Sequence, residues 1–160
     1  MNAVKNFQII EFLINENYYG LDIKHVNGIH KADSIRITPI PSFSEAVLGV
    51  TNIREQIYPI IDLKRKLGFE STTINEDTKL IIMNLEGKDL GVVVDEVTDI
   101  RKPDEEDIKD IQNLTFGRET YFSSIVKGQD HFVIVLDADK LFENDEILSV
   151  NVEQVLEQTL

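Results

Sequence analysis

Two stretches of the chain repeat one another: "YYGLDIKHVNGI" over residues 18–29 and "DLGVVVDEVTDI" over residues 89–100, which lie 71 positions further on. Without a gap, four glycine or apolar positions coincide: Gly20 with Gly91, Ile23 with Val94, Val26 with Val97, and Ile29 with Ile100. A repeat of this kind predicts that the chain is built from two copies of one structural unit.

The repeat extends towards the N-terminus and predicts a β-hairpin at the start of each copy. Residues 9–14 and 80–85 are rich in β-branched and aromatic residues, and a short polar turn and a second apolar strand follow each of them. This arrangement is the usual sequence signature of a hairpin. A glycine inside a strand marks a bend, a bulge or a close approach of the backbone, so we predict a kink at Gly20 and at Gly91.

A looser echo relates residues 52–67 to residues 125–141, at an offset near 73–75. Each stretch again predicts a hairpin, followed by an aspartate and a short amphipathic turn. Asp62 is expected to cap the first turn and Gly68 to end it. In the second copy, the expected cap is either of two aspartates, Asp137 or Asp139.

Two copies of hairpin, connection, hairpin and short helix predict a mainly β fold, with two small barrels packed around a shared hydrophobic core. The copies cover approximately residues 7–70 and 78–145, and each is marginal for stability alone. We therefore expect a single domain over residues 1–160. Apolar residues recurring on one helical face predict a C-terminal helix over approximately residues 146–160.

The composition excludes several classes of function. The chain has no cysteine, so it has no disulfide, no cysteine-based zinc site and no thiol nucleophile. Its 29 acidic and 16 basic residues give a net charge of −13, which opposes binding to nucleic acid or to an anionic membrane surface. Such acidity serves either solubility or a protein partner with a basic face. The N-terminus lacks the pattern of a signal peptide, and no apolar run approaches the ~20 residues that span a bilayer, so we expect a cytoplasmic protein.

Nothing in the sequence predicts catalysis, a metal site or a cofactor. The three histidines, His25, His30 and His131, lack metal-ligand spacing and are expected on the surface or in loops. The acidic run at residues 104–107 lacks the alternating ligands and central glycine of a calcium loop, so a solvated connector is expected. The enzyme alternative, a metal-dependent one built on the acidic clusters, has no convergent catalytic set behind it.

The stretch "GVTNIREQIYPIIDLKRKLG" at residues 49–68, together with "YYGLDIKHVNGI" and "ITPIP", resembles the CheW-like domains of bacterial chemotaxis. The resemblance covers about residues 7–145, in the right order. Because the chain ends after one such domain, it is expected to be a stand-alone adaptor of the family. The alternatives are the CheW-like regulatory domain of the histidine kinase CheA and the members that add a receiver domain.

The resemblance implies a fold of two SH3-like five-stranded barrels and a non-enzymatic adaptor function. Such adaptors join the cytoplasmic tip of transmembrane chemoreceptors to CheA. One barrel docks on the CheW-like regulatory domain of the kinase, and the groove between the barrels takes the helical hairpin of the receptor. The runner-up is an adaptor of the same family that serves a non-flagellar array, such as one for twitching motility.

The resemblance also implies candidate partner-binding residues. Asn52 and Arg54 match the family's asparagine and arginine at the hairpin, and the expectation from composition alone is a surface arginine that pairs with an acid such as Glu55. Gly49 and Val50 match the Gly-Val pair of the family motif. The other candidates lie at apolar strand ends and either line the groove or belong to the core: Val26, Val97 and Ile100.

One position departs from the family pattern, because Glu55 stands where the family has a glycine after the arginine. If this position needs a positive φ, glutamate costs about 1 kcal/mol there, or else the turn has changed its type. At the offset of 73, the equivalent position in the second copy is Gly128.

Overall fold

The structure, a computed structural model, describes residues 7–40, 44–110 and 121–149. Within these ranges it is a mainly β protein, as the sequence predicts. The strands, in chain order, are β1 (Ile9–Ile14), β2 (Asn17–Asp22), β3 (Val26–Lys31), β4 (Val47–Ile53), β5 (Gln56–Asp62), β6 (Lys79–Leu85), β7 (Lys88–Val94), β8 (Glu96–Arg101), β9 (Ile108–Asp110), β10 (Phe122–Lys127) and β11 (Phe132–Leu136). The α-helices are α1 (Leu63–Lys66) and α2 (Ala138–Phe142), and short 3-10 turns lie at Ile23–His25, Ala32–Ser34, Glu105–Asp107 and Glu146–Ser149.

The strands form two sheets, and each sheet draws on both halves of the sequence. The order of the first sheet is β8-β1-β2-β11-β10-β9, and the order of the second is β3-β6-β7-β5-β4. The β1–β2 hairpin therefore completes a sheet made from the second half, and the β6–β7 hairpin completes a sheet made from the first half. The first sheet has six strands rather than five because the short strand β9 adds to its edge. The sheets thus do not coincide with residues 7–70 and 78–145.

The strand registers explain the repeat in the sequence. Ile10 pairs with Leu21 in the first hairpin, and the positions 71 residues later, Ile81 and Val92, pair with each other in the second hairpin. The flanking strands follow the same rule, with Phe12 opposite Val97 and Met83 opposite Val26. A register shift interrupts both of these flanking ladders at equivalent places. The repeat therefore encodes two copies of one pairing scheme.

The second repeat, of residues 52–67 in residues 125–141, has an offset other than the 73 that matched Glu55 with Gly128. Gly49 pairs with Ile60 in one hairpin and Ser124 pairs with Val135 in the other, which sets the offset at 75. Asp130, and not Gly128, is therefore the equivalent of Glu55. The pairing at an offset of 73 was wrong because a shift of two residues leaves every side chain on the same face of a strand.

One large hydrophobic cluster spans the two sheets. Ile10, Phe12 and Leu21 enter it from the first sheet, and Ile61, Ile81, Met83, Leu90 and Val92 enter it from the second sheet. Two smaller clusters lie inside the individual sheets, one around Val133 and the other around Ile60. The shared core that was expected between the two β units is therefore present.

The glycines inside the hairpins mark close side-chain packing and not a kink. The ladders at Gly20 and Gly91 run without a register shift. A Cβ atom placed on Gly91 would lie 2.7 Å from Cδ1 of Ile60 and 2.8 Å from Cδ1 of Leu80, both of which are fully buried. Of the three explanations for a glycine inside a strand, a bend, a bulge or a close approach, the close approach applies here.

The short helices follow the two hairpins, but their caps differ. The carboxylate of Asp62 does not cap α1, contrary to expectation, because it accepts hydrogen bonds from N and Oγ1 of Thr72 at 2.8 and 2.6 Å. Asp137 does cap α2, since its Oδ1 accepts a hydrogen bond from N of Lys140 at 3.2 Å. The expected C-terminal helix over residues 146–160 lies outside the described residues, apart from the 3-10 turn at Glu146–Ser149.

Three consecutive basic residues of α1 tie distant parts of the chain together. Lys64 pairs with Asp95 at 3.5 Å, Lys66 pairs with Asp145 at 3.1 Å, and Arg65 pairs with the exposed Glu45. Asp95 Oδ2 also accepts a hydrogen bond from the backbone N of Asn15 at 2.8 Å. The helix therefore links the end of β7 and the segment after α2.

We predict that Gly91→Ala destabilises the protein by about 1–2 kcal/mol, because an added methyl group has no space between Ile60 and Leu80. Gly28→Ala is the matched control, since the nearest atom to its Cβ is at 3.6 Å and it should change the free energy of unfolding far less. Urea unfolding of the two variants measures both effects. Equal stabilities for the two variants would contradict the packing argument.

Candidate functional site

The hairpin between β4 and β5 ends in a two-residue turn in which both residues have positive φ angles. The values are 53° at Arg54 and 67° at Glu55, as type I′ hairpin turns require. Oδ1 of Asn52 accepts a hydrogen bond from the backbone N of Glu55 at 3.0 Å. The β6–β7 hairpin has the same bond, from N of Gly87 to Oδ1 of Asn84 at 3.1 Å. Asn52 therefore holds the turn, while Glu55 occupies a backbone conformation that favours glycine.

This turn presents Arg54 to solvent. Its side chain is exposed and makes no hydrogen bond or ion pair with any described residue, Glu55 included. Arg65 and Arg101, by contrast, are paired with Glu45 and Glu11. Arg54 therefore keeps its full set of planar donors available for a carboxylate or carbonyl group outside the chain.

Gly49 and Val50 are buried and support the hairpin from below. Gly49 has a φ of 145°, and a Cβ atom there would lie 2.0 Å from the carbonyl oxygen of Thr38. Val50 is 4% exposed and exchanges two backbone hydrogen bonds with Thr38, at 2.8 and 2.9 Å. These residues fix the connecting segment against β4, which places Arg54 at the tip.

The apolar candidates lie on two other strands. Val26 on β3 and Val97 on β8 are half-buried and pack against the shared core. Ile100 is 52% exposed, and its repeat partner Ile29, which sequence reasoning did not select, is 37% exposed. The exposed apolar pair is therefore Ile29 and Ile100.

The predicted residues do not form a single site. Strands β3 and β4 lie at opposite edges of one sheet, and β8 lies at an edge of the other sheet. The structure brings together Gly49, Val50, Asn52 and Arg54 on one hairpin, and it leaves Val26, Val97 and Ile100 elsewhere. The partner-binding role of all seven residues stays a prediction.

Sequence reasoning missed a buried ionic cluster around Glu11, which is only 3% exposed. Its carboxylate accepts a hydrogen bond from Oγ1 of Thr98 at 2.7 Å and contacts Nη1 of Arg101 and Nε2 of His131, both at 3.1 Å. The His131 ring stacks on Tyr18, with ring centroids 3.6 Å apart. A single charged residue within the apolar run "IIEFLI" was the signal in the sequence.

Both ring nitrogens of His131 face carboxylates, since Nδ1 lies 2.7 Å from Oδ1 of Asp130. A carboxylate only accepts, so the ring satisfies both contacts only when it is protonated. The hydrogen bond to Glu11 is the main cause that raises the pKa of His131 above 6.5, against the effect of burial. Burial alone would raise the pKa of Glu11, but the bonds from Thr98, His131 and Arg101 together hold it below 4.5.

This cluster has no arrangement for chemistry. Its described groups contact one another: the Glu11 carboxylate binds Thr98, Arg101 and His131, and the other ring nitrogen of His131 faces Asp130. Within residues 7–40, 44–110 and 121–149, no group of three or more histidine, aspartate or glutamate side chains is placed to hold a metal ion. His131 lies in the loop between β10 and β11, as expected, and its contact with Glu11 links this loop to β1.

The chain is similar to known proteins over most of its length. A sequence model described as the CheW-like domain matches residues 8–146. The chain belongs to the CheW-like domain family. The "Chemotaxis protein CheW" of Treponema pallidum (strain Nichols) is 30% identical over 148 residues, covering 89% of this chain and 86% of the relative. That of Thermotoga maritima is also 30% identical, over 89% and 91% of the two chains.

A solved structure of the family agrees with the fold. The crystal structure of the scaffolding protein TtCheW from Thermoanaerobacter tengcongensis superimposes with a TM-score of 0.75, at 33% sequence identity, over 86% of this chain and 92% of that chain. The chain is thus a chemotaxis scaffold protein and not an enzyme. In the part of the chain that the structure describes, no helix is long and apolar enough to cross a bilayer.

We predict that His131→Gln lowers the free energy of unfolding by about 1–2 kcal/mol, most strongly between about pH 4.5 and 6.5. Because folding raises the pKa of His131, the protonated ring stabilises the folded state fully below pH 6.5. This stabilisation is lost as the pH rises through the raised pKa. Because folding lowers the pKa of Glu11, the ionised carboxylate stabilises the folded state fully above pH 4.5. This stabilisation is lost as the pH falls through the lowered pKa. Denaturant unfolding over a pH series measures the difference.

The control for this series is His25→Gln, because His25 makes no hydrogen bond or ion pair with a described residue. A wild-type minus His131→Gln difference that stays constant with pH would show that His131 contributes only its packing on Tyr18.

We predict that Glu55→Gly stabilises the protein by about 1 kcal/mol, since glycine adopts a φ of 67° without steric cost. Glu96→Gly, in the extended backbone of β8, is the matched control and should destabilise the protein, because glycine weakens a strand. Thermal or urea unfolding compares the two. A loss of stability in both variants would mean that Glu55 holds the turn through its side chain.

Proposed function

We propose that this protein couples transmembrane chemoreceptors to the histidine kinase CheA, as a cytoplasmic adaptor without catalytic activity. The observation that carries the proposal is the combination of family membership with an exposed arginine at a hairpin tip that pairs with no described residue. A scaffold needs surfaces that its own fold leaves unsatisfied, and this hairpin provides one.

The β4–β5 hairpin supplies the polar partner contacts of the proposal. Three neighbouring residues build a rigid support: Gly49 and Val50 lock the strand on Thr38, and Asn52 closes the turn. The backbone that carries Arg54 is therefore already ordered, so that binding has to order only its side chain. Arginine is a common source of binding energy at protein interfaces.

The receptor side uses the exposed apolar pair on β3 and β8. Ile29 and Ile100 stand at equivalent positions of the two copies, each opposite a core residue of the neighbouring strand, Ile81 and Ile10. An amphipathic receptor helix binds through an apolar stripe, which such residues suit. Val26 and Val97 lie more deeply and support these contacts from the core.

We predict that Arg54→Ala weakens the binding of purified CheA or of a receptor-tip fragment by about tenfold or more, while the thermal midpoint stays nearly unchanged. The residue is exposed and unpaired, and alanine meets the same backbone constraint as arginine. Titration calorimetry with each partner separately shows which of them Arg54 serves. Lys140→Ala, exposed on α2, is the control and should bind as the wild type does.

The two levels of the proposal have separate outcomes. Unchanged affinities for a folded Arg54→Ala protein would remove Arg54 from the interface and leave the adaptor function intact. If the wild-type protein bound neither CheA nor the receptor fragment, the proposed adaptor function would be wrong.

A further inference from the structure

A surface pocket of about 350 Å³ lies beside the hairpin, between the connecting segment and β4. Ile35, Val50 and Ile57 give it an apolar floor, and Arg36, Thr38 and Asn52 stand around them. The floor is anchored, since Ile35 packs against the buried cluster around Ile60. The pocket exists because the Thr38–Val50 bridge draws residues 34–38 alongside the edge strand of the sheet.

Two polar side chains of the pocket have hydrogen-bond donors without a partner among the described residues. The acceptor Oδ1 of Asn52 is occupied by N of Glu55, which leaves its Nδ2 group. The Thr51 hydroxyl donates to the carbonyl oxygen of Arg36 at 2.7 Å, so it anchors the Arg36 backbone from below. The guanidinium of Arg36 makes no hydrogen bond or ion pair with a residue that the structure describes. Among the described residues, the free donors therefore include the Arg36 guanidinium and Nδ2 of Asn52, and Arg36 is the one charged residue that lines this pocket.

We propose that this pocket binds an acidic segment of a partner protein, with an Asp or Glu carboxylate on Arg36 and Asn52 and a neighbouring aliphatic side chain on the apolar floor. The complementarity is specific, because a guanidinium fork matches a carboxylate in geometry and in charge. Arg54 lies two residues beyond Asn52 on the same hairpin, outside the lining of the pocket. The inference rests on the proposed function only in that the occupant belongs to a partner of the adaptor.

The test uses two blocked dipeptides, N-acetyl-Leu-Glu-N-methylamide and its Leu-Gln counterpart, which differ only in the charge of one side chain. Each is titrated into the full-length ¹⁵N-labelled chain, and amide shifts are followed by NMR. We expect millimolar binding of the Leu-Glu dipeptide, with shifts concentrated at Ile35, Thr38, Thr51 and Asn52. The Leu-Gln dipeptide should bind about threefold to fivefold more weakly, as expected for one solvent-exposed ion pair.

Arg36→Gln should remove the preference for the Leu-Glu dipeptide and leave the binding of the Leu-Gln dipeptide unchanged. Lys127→Gln, which removes the same charge from β10, should retain the preference. Equal affinities for the two dipeptides, shifts spread over the surface, or a preference that survives Arg36→Gln would each overturn the assignment. Because no partner protein takes part, failure here is distinct from failure to bind CheA or a receptor.

Discussion

Each sheet is completed by a hairpin from the opposite half of the chain. One side of the hairpin is held by an antiparallel pairing, β1 with β8 or β6 with β3, and the other side by a short parallel pairing, β2 with β11 or β7 with β5. The two repeat glycines sit at these joins, Gly91 opposite Ile60 and Gly20 opposite Val135. Neither half can therefore satisfy its strands or bury its apolar face alone. Contacts of long sequence separation must form together, which slows folding but makes the two sheets one cooperative unit.

The same exchange marks the limit of what the sequence could predict. The offset of 71 predicted the two hairpins, since each copy has two apolar strands around a short polar turn. It did not predict their registers, which the two-residue turns after Ile14 and Leu85 set. The offset did not predict the exchange of hairpins between the sheets, because the sequence of a strand shows which of its faces is apolar but not which strand lies beside it. The error of two residues in the second echo has a similar origin. A pattern of period two is unchanged by a shift of two, so only the turn itself, at Arg54–Glu55 and Gln129–Asp130, sets the register.

The candidate site was predictable where it depended on local sequence. The hairpin, its tip and the exposed arginine follow from residues 49–68, whereas Asn52 proved to hold the turn through Glu55. Arg36 was out of reach, because it lies in a polar connector and reaches β4 only through the bridge between Thr38 and Val50. Glu11 was visible as a charge in an apolar strand, but its partners come from β8 and from the β10–β11 turn. Only the closed sheet assembles them.

Charge decides what the arginines at this hairpin are able to do. The chain carries a net charge of −13, so an acidic partner meets repulsion at a distance and attraction where exposed basic groups such as Arg36 and Arg54 face it. Salt at physiological strength screens the long-range repulsion over about 8 Å but weakens close, partly desolvated pairs much less. The two arginines therefore act on the choice and orientation of the partner more than on the rate of encounter. An adaptor that must bind particular acidic surfaces gains from this arrangement, since a generally basic surface would also recruit unrelated acidic proteins.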